Sequence, residues 1–381
     1  MVKKTDWSGI LEHLERVAAK GKDMVWCVAG AGNGGISMAG HLGLLGFPVH
    51  IYNRTDEHLN AIRWYKGIEV EGAVSGFGPV RLATSRIGEA IAGADVIMIV
   101  TPSTAHYGLG TLMAPFLQDG QIVVLNPGRT GGALEFRAAL DREGCTARVI
   151  IVEAQTFIYA SRMISRNKGH IFRIKNGVPV SALPSFLTPA VLKVIDVAFP
   201  QFIAGSNVLA TSLENIGAVF HPALTLLNAA WIESTGGDFE YYLQGISPSV
   251  ARVLQAIDDE RLALARALGI RTVSAREWLY LTYDSVGADL CSAIRATTSY
   301  AGIKAPKTIN HRYIWEDVPM SLVPMASVAA MYGVETPAIN LMIDLANLMH
   351  GVDYRANGRT VHTLGIEGLS VEELHRLVTE G

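Results

Sequence analysis

Four glycines lie between positions 30 and 35, in the order Gly-Ala-Gly-Asn-Gly-Gly, directly after an apolar run. Gly30, Gly32 and Gly35 have the spacing G-x-G-x-x-G. At the end of a strand, this pattern gives a tight turn, lets the backbone approach a pyrophosphate, and opens a helix whose N-terminus binds the phosphates. We therefore predict a dinucleotide site that also includes Asn33 and Gly34. The alternative is a glycine-rich turn without a ligand.

Asn53 and Arg54 follow the next apolar run and indicate which dinucleotide is bound. Enzymes that use NAD usually carry an acidic residue about 20 residues after the glycines, where it binds the ribose 2′-hydroxyl. Asn53 is neutral and does not repel a 2′-phosphate, and the guanidinium of Arg54 can bind one bidentately. We expect NADP(H) to be favoured over NAD(H), unless Arg54 is only a solvated surface residue. Thr101 and Pro102, after a later strand, are predicted as further cofactor contacts.

His221 has the side chain best suited to proton transfer near neutral pH. It precedes Pro222 within a helical pattern. Proline removes the helical hydrogen bond to Ala218 and disfavours helical geometry at the preceding residue, so we expect a kink or break at His221. Gly217, one turn earlier, would leave space beside the ring. A break of this kind can direct a side chain into a cleft, but a histidine on an apolar helix is more often a core residue.

Asp317 is a second candidate for acid–base chemistry, in the segment 311–319 before another helical pattern. Because a proline and an apolar helical stretch follow it, Asp317 would most simply be a helix N-cap. Nothing in the spacing connects Asp317 with His221.

A parallel sheet and a helical domain must position these residues. From Met24 onward, short aliphatic runs alternate with helical patterns, which is typical of strands buried on both faces. The predicted strands are Met24–Ala29, Val49–Asn53, Asp95–Thr101, Gln121–Asn126 and Arg148–Glu153. Predicted helices follow at Leu209–Ser234, Ser247–Leu268, Ala275–Tyr283, Met320–Tyr332 and Pro337–Leu348.

The expected fold class is therefore α/β, with a Rossmann-type doubly wound parallel sheet followed by an all-α C-terminal domain. We predict an N-terminal extension at 1–23 with an amphipathic helix over 7–20, a cofactor domain at 24–205 and a helical substrate domain at 206–381.

Composition argues against several other functions. A net charge of −3 over 381 residues gives no broad electrostatic reason to bind nucleic acid or an anionic membrane. No apolar run approaches the roughly 20 residues of a membrane span, and charged residues interrupt the N-terminal region where a signal peptide would be apolar. The three cysteines, Cys27, Cys145 and Cys291, are widely spaced, which suits reduced thiols and gives no zinc pattern. We expect a cytoplasmic protein without metal, nucleic-acid or membrane partners.

Several motifs, in order along the chain, resemble the opine dehydrogenase family, in particular its octopine, nopaline and N-(1-D-carboxyethyl)-L-norvaline dehydrogenases. They are Asn-Pro-Gly-Arg-Thr-Gly-Gly-Ala-Leu-Glu-Phe at 126–136, His-Pro at 221–222, Gly-Ile-Ser-Pro-Ser-Val at 245–250, Glu-Asp-Val-Pro at 316–319 and Leu-Val-Pro at 322–324. The resemblance covers the chain from about Met24 to its end. It implies that His221 is the catalytic histidine and that Asp317 is its partner. It also implies that an amino acid or amine is joined to a 2-oxo acid such as pyruvate, through an imine that NAD(P)H reduces; family precedent suggests a homodimer.

Two departures from the family are evident. Its members often carry an additional asparagine on the histidine helix, where this chain has Gly217, and Asn215 remains as a candidate substrate contact. The first 23 residues have no counterpart in the family.

A product with two carboxylates also implies cationic side chains that bind them. Arg162 is the candidate for this role, and Arg295 and Lys304 are the alternatives.

Two other functions stay open. A related reductase would act on a ketone or hydroxy acid without an amine, and such enzymes commonly use a lysine of the helical domain. A non-catalytic sensor would bind the dinucleotide without turnover. Dependence of NADPH oxidation on an amine separates the three functions.

Overall fold

A computed structural model describes residues 7–381, and this part of the chain forms two compact units. The first unit runs to Gly128 and continues through Gly132–Thr211 and Leu369–Gly381, and the second consists of Arg129–Gly131 and Ser212–Gly368. The observed boundary after Thr211 thus lies later than the one predicted after residue 205. The predicted extension at 1–23 is not a separate part: its helix belongs to the first unit, and its residues 1–6 lie outside the described residues.

Within residues 7–381, the strands form two sheets. The strands are β1 (Trp26–Ala29), β2 (Val49–Tyr52), β3 (Gly67–Gly72), β4 (Gly76–Pro79), β5 (Leu82–Thr84), β6 (Val96–Ile99), β7 (Ile122–Leu125), β8 (Ile150–Ala154), β9 (Tyr159–Ser165), β10 (Lys168–Ile174), β11 (Val178–Leu183) and β12 (Phe202–Ala204). The larger sheet has the order β12-β11-β8-β7-β6-β1-β2-β5, and its neighbours are parallel except for the antiparallel pair β11–β8.

The five predicted strands form the centre of the larger sheet, as β1, β2, β6, β7 and β8. Every residue of these strands is buried, because helices cover both faces of the sheet. Their carboxyl ends lie at one edge of the sheet, since parallel neighbours share a direction. The glycine loop and the residues after β6 and β7 therefore meet at that edge.

The smaller sheet, of order β4-β3-β10-β9, was not predicted. Its strands are rich in glycine and charged residues and largely exposed on one face, so they lack the aliphatic runs that identify the larger sheet. Two glycines on the helix after β1 let it pack closely on this sheet. A Cβ on Gly40 would lie 2.6 Å from Cγ1 of Val70, and one on Gly43 would lie 2.5 Å from the carbonyl oxygen of Pro79.

The helices of the described chain are α1 (Ile10–Ala19), α2 (Asn33–Leu44), α3 (Asn60–Tyr65), α4 (Ile87–Ile91), α5 (His106–Met113), α6 (Gly132–Arg142), α7 (Thr188–Ile195), α8 (Val208–Leu213), α9 (Ile216–Leu227), α10 (Ala229–Thr235), α11 (Pro248–Ala267), α12 (Ala275–Tyr283), α13 (Leu290–Ala296), α14 (Arg312–Trp315), α15 (Val323–Met331), α16 (Pro337–His350), α17 (Tyr354–Asn357) and α18 (Val371–Thr379). A π-helical turn, Val318–Leu322, precedes α15. The helices from α9 to α17 belong to the second unit, which matches the predicted all-α domain.

The predicted helix Leu209–Ser234 is in fact three helices, α8, α9 and α10. The first break falls at Glu214–Asn215, where Asn215 has the non-helical angles φ −73° and ψ 78°. A kink or break was expected at His221, and the structure shows no break there, because α9 continues through Pro222. The break therefore precedes the histidine by nearly two turns and starts a new helix that carries it.

No helix between residues 7 and 381 combines the length and the apolar character needed to cross a membrane.

Candidate active site

The loop between β1 and α2 is crowded on its sheet side. Gly30 has a φ of 121°, and a Cβ there would lie 2.4 Å from the carbonyl oxygen of Val100. A Cβ on Gly35 would lie 1.7 Å from the carbonyl oxygen of Gly30, and one on Gly34 would lie 2.7 Å from Cζ of Phe157. These contacts explain why the chain needs glycine here.

The same loop is open at Gly32, where a Cβ would meet no described atom within 4 Å. Gly32 directly precedes α2, so its open side faces the N-terminal end of a 12-residue helix. Phosphate groups bind well at such an end, because the backbone N–H groups of the first turn have no helical partner. The loop thus fits the pyrophosphate of a dinucleotide.

Two polar atoms at neighbouring strand ends support the same fit. The Oγ1 atom of Thr101, after β6, and the Oδ1 atom of Asn126, after β7, are buried and have no hydrogen-bond partner among the described residues. Unsatisfied buried polar atoms are costly, and they are expected where a ligand supplies the missing partner. The hydroxyl and amide groups of a dinucleotide could do so at this edge. Pro102, also predicted here, adopts φ −55° and ψ 145° and leads into a short turn.

Asn53, at the end of β2, is connected to the glycine loop. Its Oδ1 atom accepts a hydrogen bond from the N–H of Ala31 at 3.3 Å, and its Nδ2 atom donates to the backbone oxygen of Thr55 at 3.2 Å. The next residue, Arg54, is exposed. The nearest following carboxylate, Asp56, is ion-paired with Arg63 at 2.6 Å. Asn53 and Arg54, which are predicted to bind a 2′-phosphate, are thus consecutive residues at the end of β2. The carboxylate of Asp56 is already paired with Arg63.

The side chain of Asn33 has a structural contact. Its Oδ1 atom accepts a hydrogen bond from the N–H of Met163 at 2.9 Å, which joins the start of α2 to β9. Its Oδ1 atom is therefore already engaged, and a contact of Asn33 with the cofactor would use its Nδ2 group or its backbone. Arg162 lies inside β9, where it is exposed and stands opposite His170 in the sheet register.

His221 and Asp317 are in direct contact, although they are 96 residues apart in the chain. The Nδ1 atom of His221 lies 2.8 Å from Oδ2 of Asp317. The Asp317 side chain is fully buried, whereas the His221 side chain is 18% exposed, so only the histidine can meet a substrate. Asp317 makes no capping hydrogen bond with its side chain. Its observed contact is thus the histidine and not a helix end.

The Nε2 atom and the ring face of the His221 imidazole also have contacts. Its Nε2 atom lies 3.1 Å from the hydroxyl of Tyr242, and its ring stacks on Tyr313 with 4.1 Å between ring centroids. The carbonyl oxygen of His221 accepts hydrogen bonds from Thr225 Oγ1 at 2.8 Å and from the hydroxyl of Tyr241 at 2.9 Å. These contacts fix both the backbone and the plane of the ring.

Arg129 is a further charged member of this group. Its Nη1 atom lies 3.1 Å from Oδ1 of Asp317, and its Nε atom lies 3.7 Å from Oε1 of Glu316. Burial disfavours the charge of the guanidinium, but Asp317 and Glu316 outweigh that effect, so the pKa of Arg129 is raised above its ordinary value. Arg129 therefore stays a cation beside the pair.

Asn215, predicted as a substrate contact, is buried next to Arg129. Its Oδ1 atom accepts a hydrogen bond from Arg129 Nη1 at 3.2 Å, and its Nδ2 atom donates to Oγ of Ser321 at 2.9 Å. Asn215 thus has polar partners already, and a substrate contact would use its remaining hydrogen-bonding capacity.

The aromatic hydroxyls around His221 are neutral at ordinary pH. Burial raises the pKa of Tyr242 well above its usual value, and burial also raises the pKa of Tyr313. Sequence reasoning did not identify Tyr242, Tyr313 or Arg129 as site residues. The only available signal was for Arg129, which lies inside one of the motifs quoted for the family resemblance.

Comparisons with known proteins agree with these observations. Residues 204–350 match the sequence profile of the NAD/NADP octopine/nopaline dehydrogenase alpha-helical domain. The chain is 37% identical over 354 residues to an opine dehydrogenase of Arthrobacter sp. (strain 1C), covering 93% of this chain and 98% of that protein. It is 26% identical to an octopine dehydrogenase of Mizuhopecten yessoensis, covering 71% and 73% of the two chains. Its fold is similar to that of a solved octopine dehydrogenase with NADH and L-arginine, with a TM-score of 0.78, 23% identity and coverage of 94% and 98%.

Proposed function

Since this chain belongs to the opine dehydrogenase family, and so is an NAD(P)-dependent oxidoreductase acting on CH–NH groups, we propose that it joins an amino acid or amine to a 2-oxo acid such as pyruvate and reduces the imine with NADPH. The product is a secondary amine that carries two carboxylates when the amine is an amino acid. The contact between His221 and Asp317 is the observation that carries this proposal, because it provides an oriented acid–base group. We further propose that the first unit binds the cofactor and the second carries the catalytic pair.

The proposed reaction needs a proton donor at one oxygen atom. The amine nitrogen attacks the carbonyl carbon of the oxo acid, and the carbonyl oxygen leaves as water after it has gained protons. Asp317 accepts a hydrogen bond from Nδ1–H of His221, which fixes the tautomer and the orientation of the ring. The Nε2–H group then donates to the departing oxygen.

Tyr242 occupies the hydrogen-bonding position at Nε2 in the structure. The oxygen of the oxo acid would take this position when the substrate binds. Because the hydroxyl of Tyr242 is neutral and buried, it can keep the ring oriented without taking its proton. Tyr242 is thus proposed to hold the donor ready for the substrate.

Cofactor binding is assigned to the edge of the larger sheet. The backbone at Gly30, Gly32 and Gly35 would hold the pyrophosphate, and Asn53 with Arg54 would hold a 2′-phosphate. When bound, NADPH supplies the hydride that becomes the new C–H bond of the product. The preference for NADPH rests on the neutral Asn53 and the exposed Arg54 at the end of β2.

Asn215 and Arg162 are the proposed substrate contacts. Asn215 lies in the same polar group as the catalytic pair, through Arg129. Arg162 is an exposed cation of the first unit, suited by its charge to a substrate carboxylate.

A matrix of 2-oxo acids against amino acids and amines tests the proposal, with NADPH oxidation as the signal. The proposal expects oxidation only in wells that contain both substrate types. The His221→Ala variant is the matched control, because it should bind NADPH normally and show strongly reduced amine-dependent oxidation. Rapid oxidation with an oxo acid alone would favour the simple reductase, and tight NADPH binding without turnover in any well would favour the sensor.

A further inference from the structure

Arg129 has an unusual backbone conformation for its position. Among residues 7–381, three non-glycine residues have positive φ: Lys66, Arg129 and Asp284. Lys66 and Asp284 are helix C-caps, where the left-handed conformation is common. Arg129, with φ 61°, lies between Gly128 and Thr130 and ends no helix. The left-handed conformation is unfavourable for such a residue, and its persistence points to a role for the side chain.

Gly217 makes room for the same side chain. A Cβ on Gly217 would lie 3.2 Å from Nη1 of Arg129 and 3.1 Å from Cε1 of His221. Glycine is a poor helix former, yet this one stands near the start of α9 with both side chains against it. The positive φ of Arg129 and the glycine within α9 at position 217 are both locally unfavourable, and together they allow the Arg129 guanidinium to lie beside the His221 imidazole.

Asp317 is shared between the two cations. Its Oδ2 atom faces His221 at 2.8 Å, and its Oδ1 atom faces Arg129 at 3.1 Å. The adjacent carboxylate, Glu316, is buried and pairs with Arg312 at 2.5 Å. The negative charges of Asp317 and Glu316 are therefore balanced by Arg129 and Arg312 while His221 is still neutral. A proton on His221 adds a further positive charge to a buried group that is already balanced.

Other titratable groups face the pair from the surrounding segments. They are His311 before α14, Tyr313 on α14, and Tyr241 and Tyr242 between α10 and α11. Burial lowers the pKa of His311 and raises the pKa of each of these tyrosines, so all four are neutral near pH 7. Arg129 and Arg312 are thus the permanent cations of this group.

We propose that Arg129 is a positioning residue that limits the protonation of His221 by sharing the charge of Asp317. This role rests on the proposed function, in which His221 must give up a proton to the departing oxygen. Without Arg129, the whole charge of Asp317 would hold the imidazolium, and the ring would be a weaker acid. With Arg129, the imidazolium is a stronger acid and gives its proton more readily to the departing oxygen.

The Arg129→Met variant tests the role through a pH profile. The alkaline limb of the kcat/KM profile, where His221 loses its proton, should move to higher pH by about one unit. The reason is that the variant removes the positive charge of Arg129 from beside the imidazolium. Arg129→Lys, which keeps the charge, should leave the limb near that of the parent. Arg312→Met, which removes a charge paired with Glu316, should move it less. An unmoved limb, or a limb moved to lower pH, would overturn the proposal.

A second readout does not depend on turnover. The ring signals of the 11 histidines can be titrated by NMR, with His221 identified from its loss in His221→Asn. Arg129→Met should move the His221 titration to higher pH, and Arg129→Lys, which keeps the charge, should leave it near that of the parent. If Arg129→Met does not fold, Arg129→Gln, which removes the charge and keeps a polar side chain, decides the result. An unchanged His221 titration refutes the role of Arg129, whereas amine-independent NADPH oxidation refutes the proposed function.

Discussion

The hydroxyl of Tyr242 lies 3.1 Å from Nε2 of His221, on the side of the ring opposite Asp317. Replacing Tyr242 with phenylalanine removes this contact and keeps the ring. One hydrogen bond contributes about 0.5–1.5 kcal/mol, so kcat/KM for the oxo acid should fall by roughly 2- to 12-fold, while NADPH affinity stays unchanged. Because burial holds the pKa of Tyr242 well above its usual value, neither limb of the pH profile should move.

Tyr241→Phe is the matched control for this change. Its hydroxyl binds the backbone carbonyl of His221, to which Thr225 also donates, and not the ring. We expect a lower melting temperature and a smaller kinetic effect than in Tyr242→Phe. Equal kinetic losses in the two variants would argue against a specific role for Tyr242.

His221 and Asp317, the proposed catalytic pair, should behave as one unit. His221→Ala should lower kcat by about 10²–10⁴-fold and leave NADPH affinity nearly intact, because proton transfer is lost while the glycine loop is unchanged. Asp317→Asn should also be costly. The double variant should be little worse than the worse single variant, as measured by steady-state kinetics. Strictly additive losses would show that the two residues act independently despite their 2.8 Å contact.

Cofactor preference should depend on Arg54. NADPH should exceed NADH in kcat/KM, and Arg54→Ala should lose most of that preference, since a charge-assisted contact contributes about 1.5–3 kcal/mol, or roughly 10- to 150-fold. The exposed Arg16 on α1 provides the control, and Arg16→Ala should keep the preference. Equal use of both cofactors by the parent enzyme would refute the assignment.

Two glycines of the loop should respond differently to alanine. Gly35→Ala places a Cβ 1.7 Å from a carbonyl oxygen and should destabilise the protein. Gly32→Ala meets no described atom and should keep the melting temperature while weakening NADPH binding, because the methyl group enters the proposed phosphate space. Gly108→Ala, on the exposed side of α5, should leave NADPH affinity unchanged and should not lower the melting temperature. Normal NADPH affinity in Gly32→Ala would place the phosphates elsewhere.

The larger sheet and the helical domain could be predicted from the sequence, because β1, β2, β6, β7 and β8 are aliphatic and buried on both faces. The smaller sheet could not. Its exposed face and glycine-rich strands remove the hydrophobic signal, as in β4, whose sequence is Gly-Phe-Gly-Pro. Local patterns are informative only where burial is uniform.

The candidate active site, like the fold, could be predicted from the sequence only in part. Residue chemistry and the family resemblance pointed to His221 and Asp317, and the structure brings these two side chains into contact. The position of Arg129 depends on folding, since it reaches Asn215 over a separation of 86 residues and uses a backbone conformation that the residue type does not favour. No periodicity reports such a contact, and the same holds for the hydroxyl of Tyr242.

The destination of the hydride tests the central claim most directly. NADPH carrying deuterium at the transferable position is incubated with enzyme, pyruvate and an amine substrate identified in the matrix, and the products are separated by mass. The account predicts one deuterium in a secondary amine, on the carbon that was the carbonyl carbon of pyruvate, and no oxidation when the amine is omitted. Deuterium in the 2-hydroxy acid, formed at the same rate with or without amine, would contradict it.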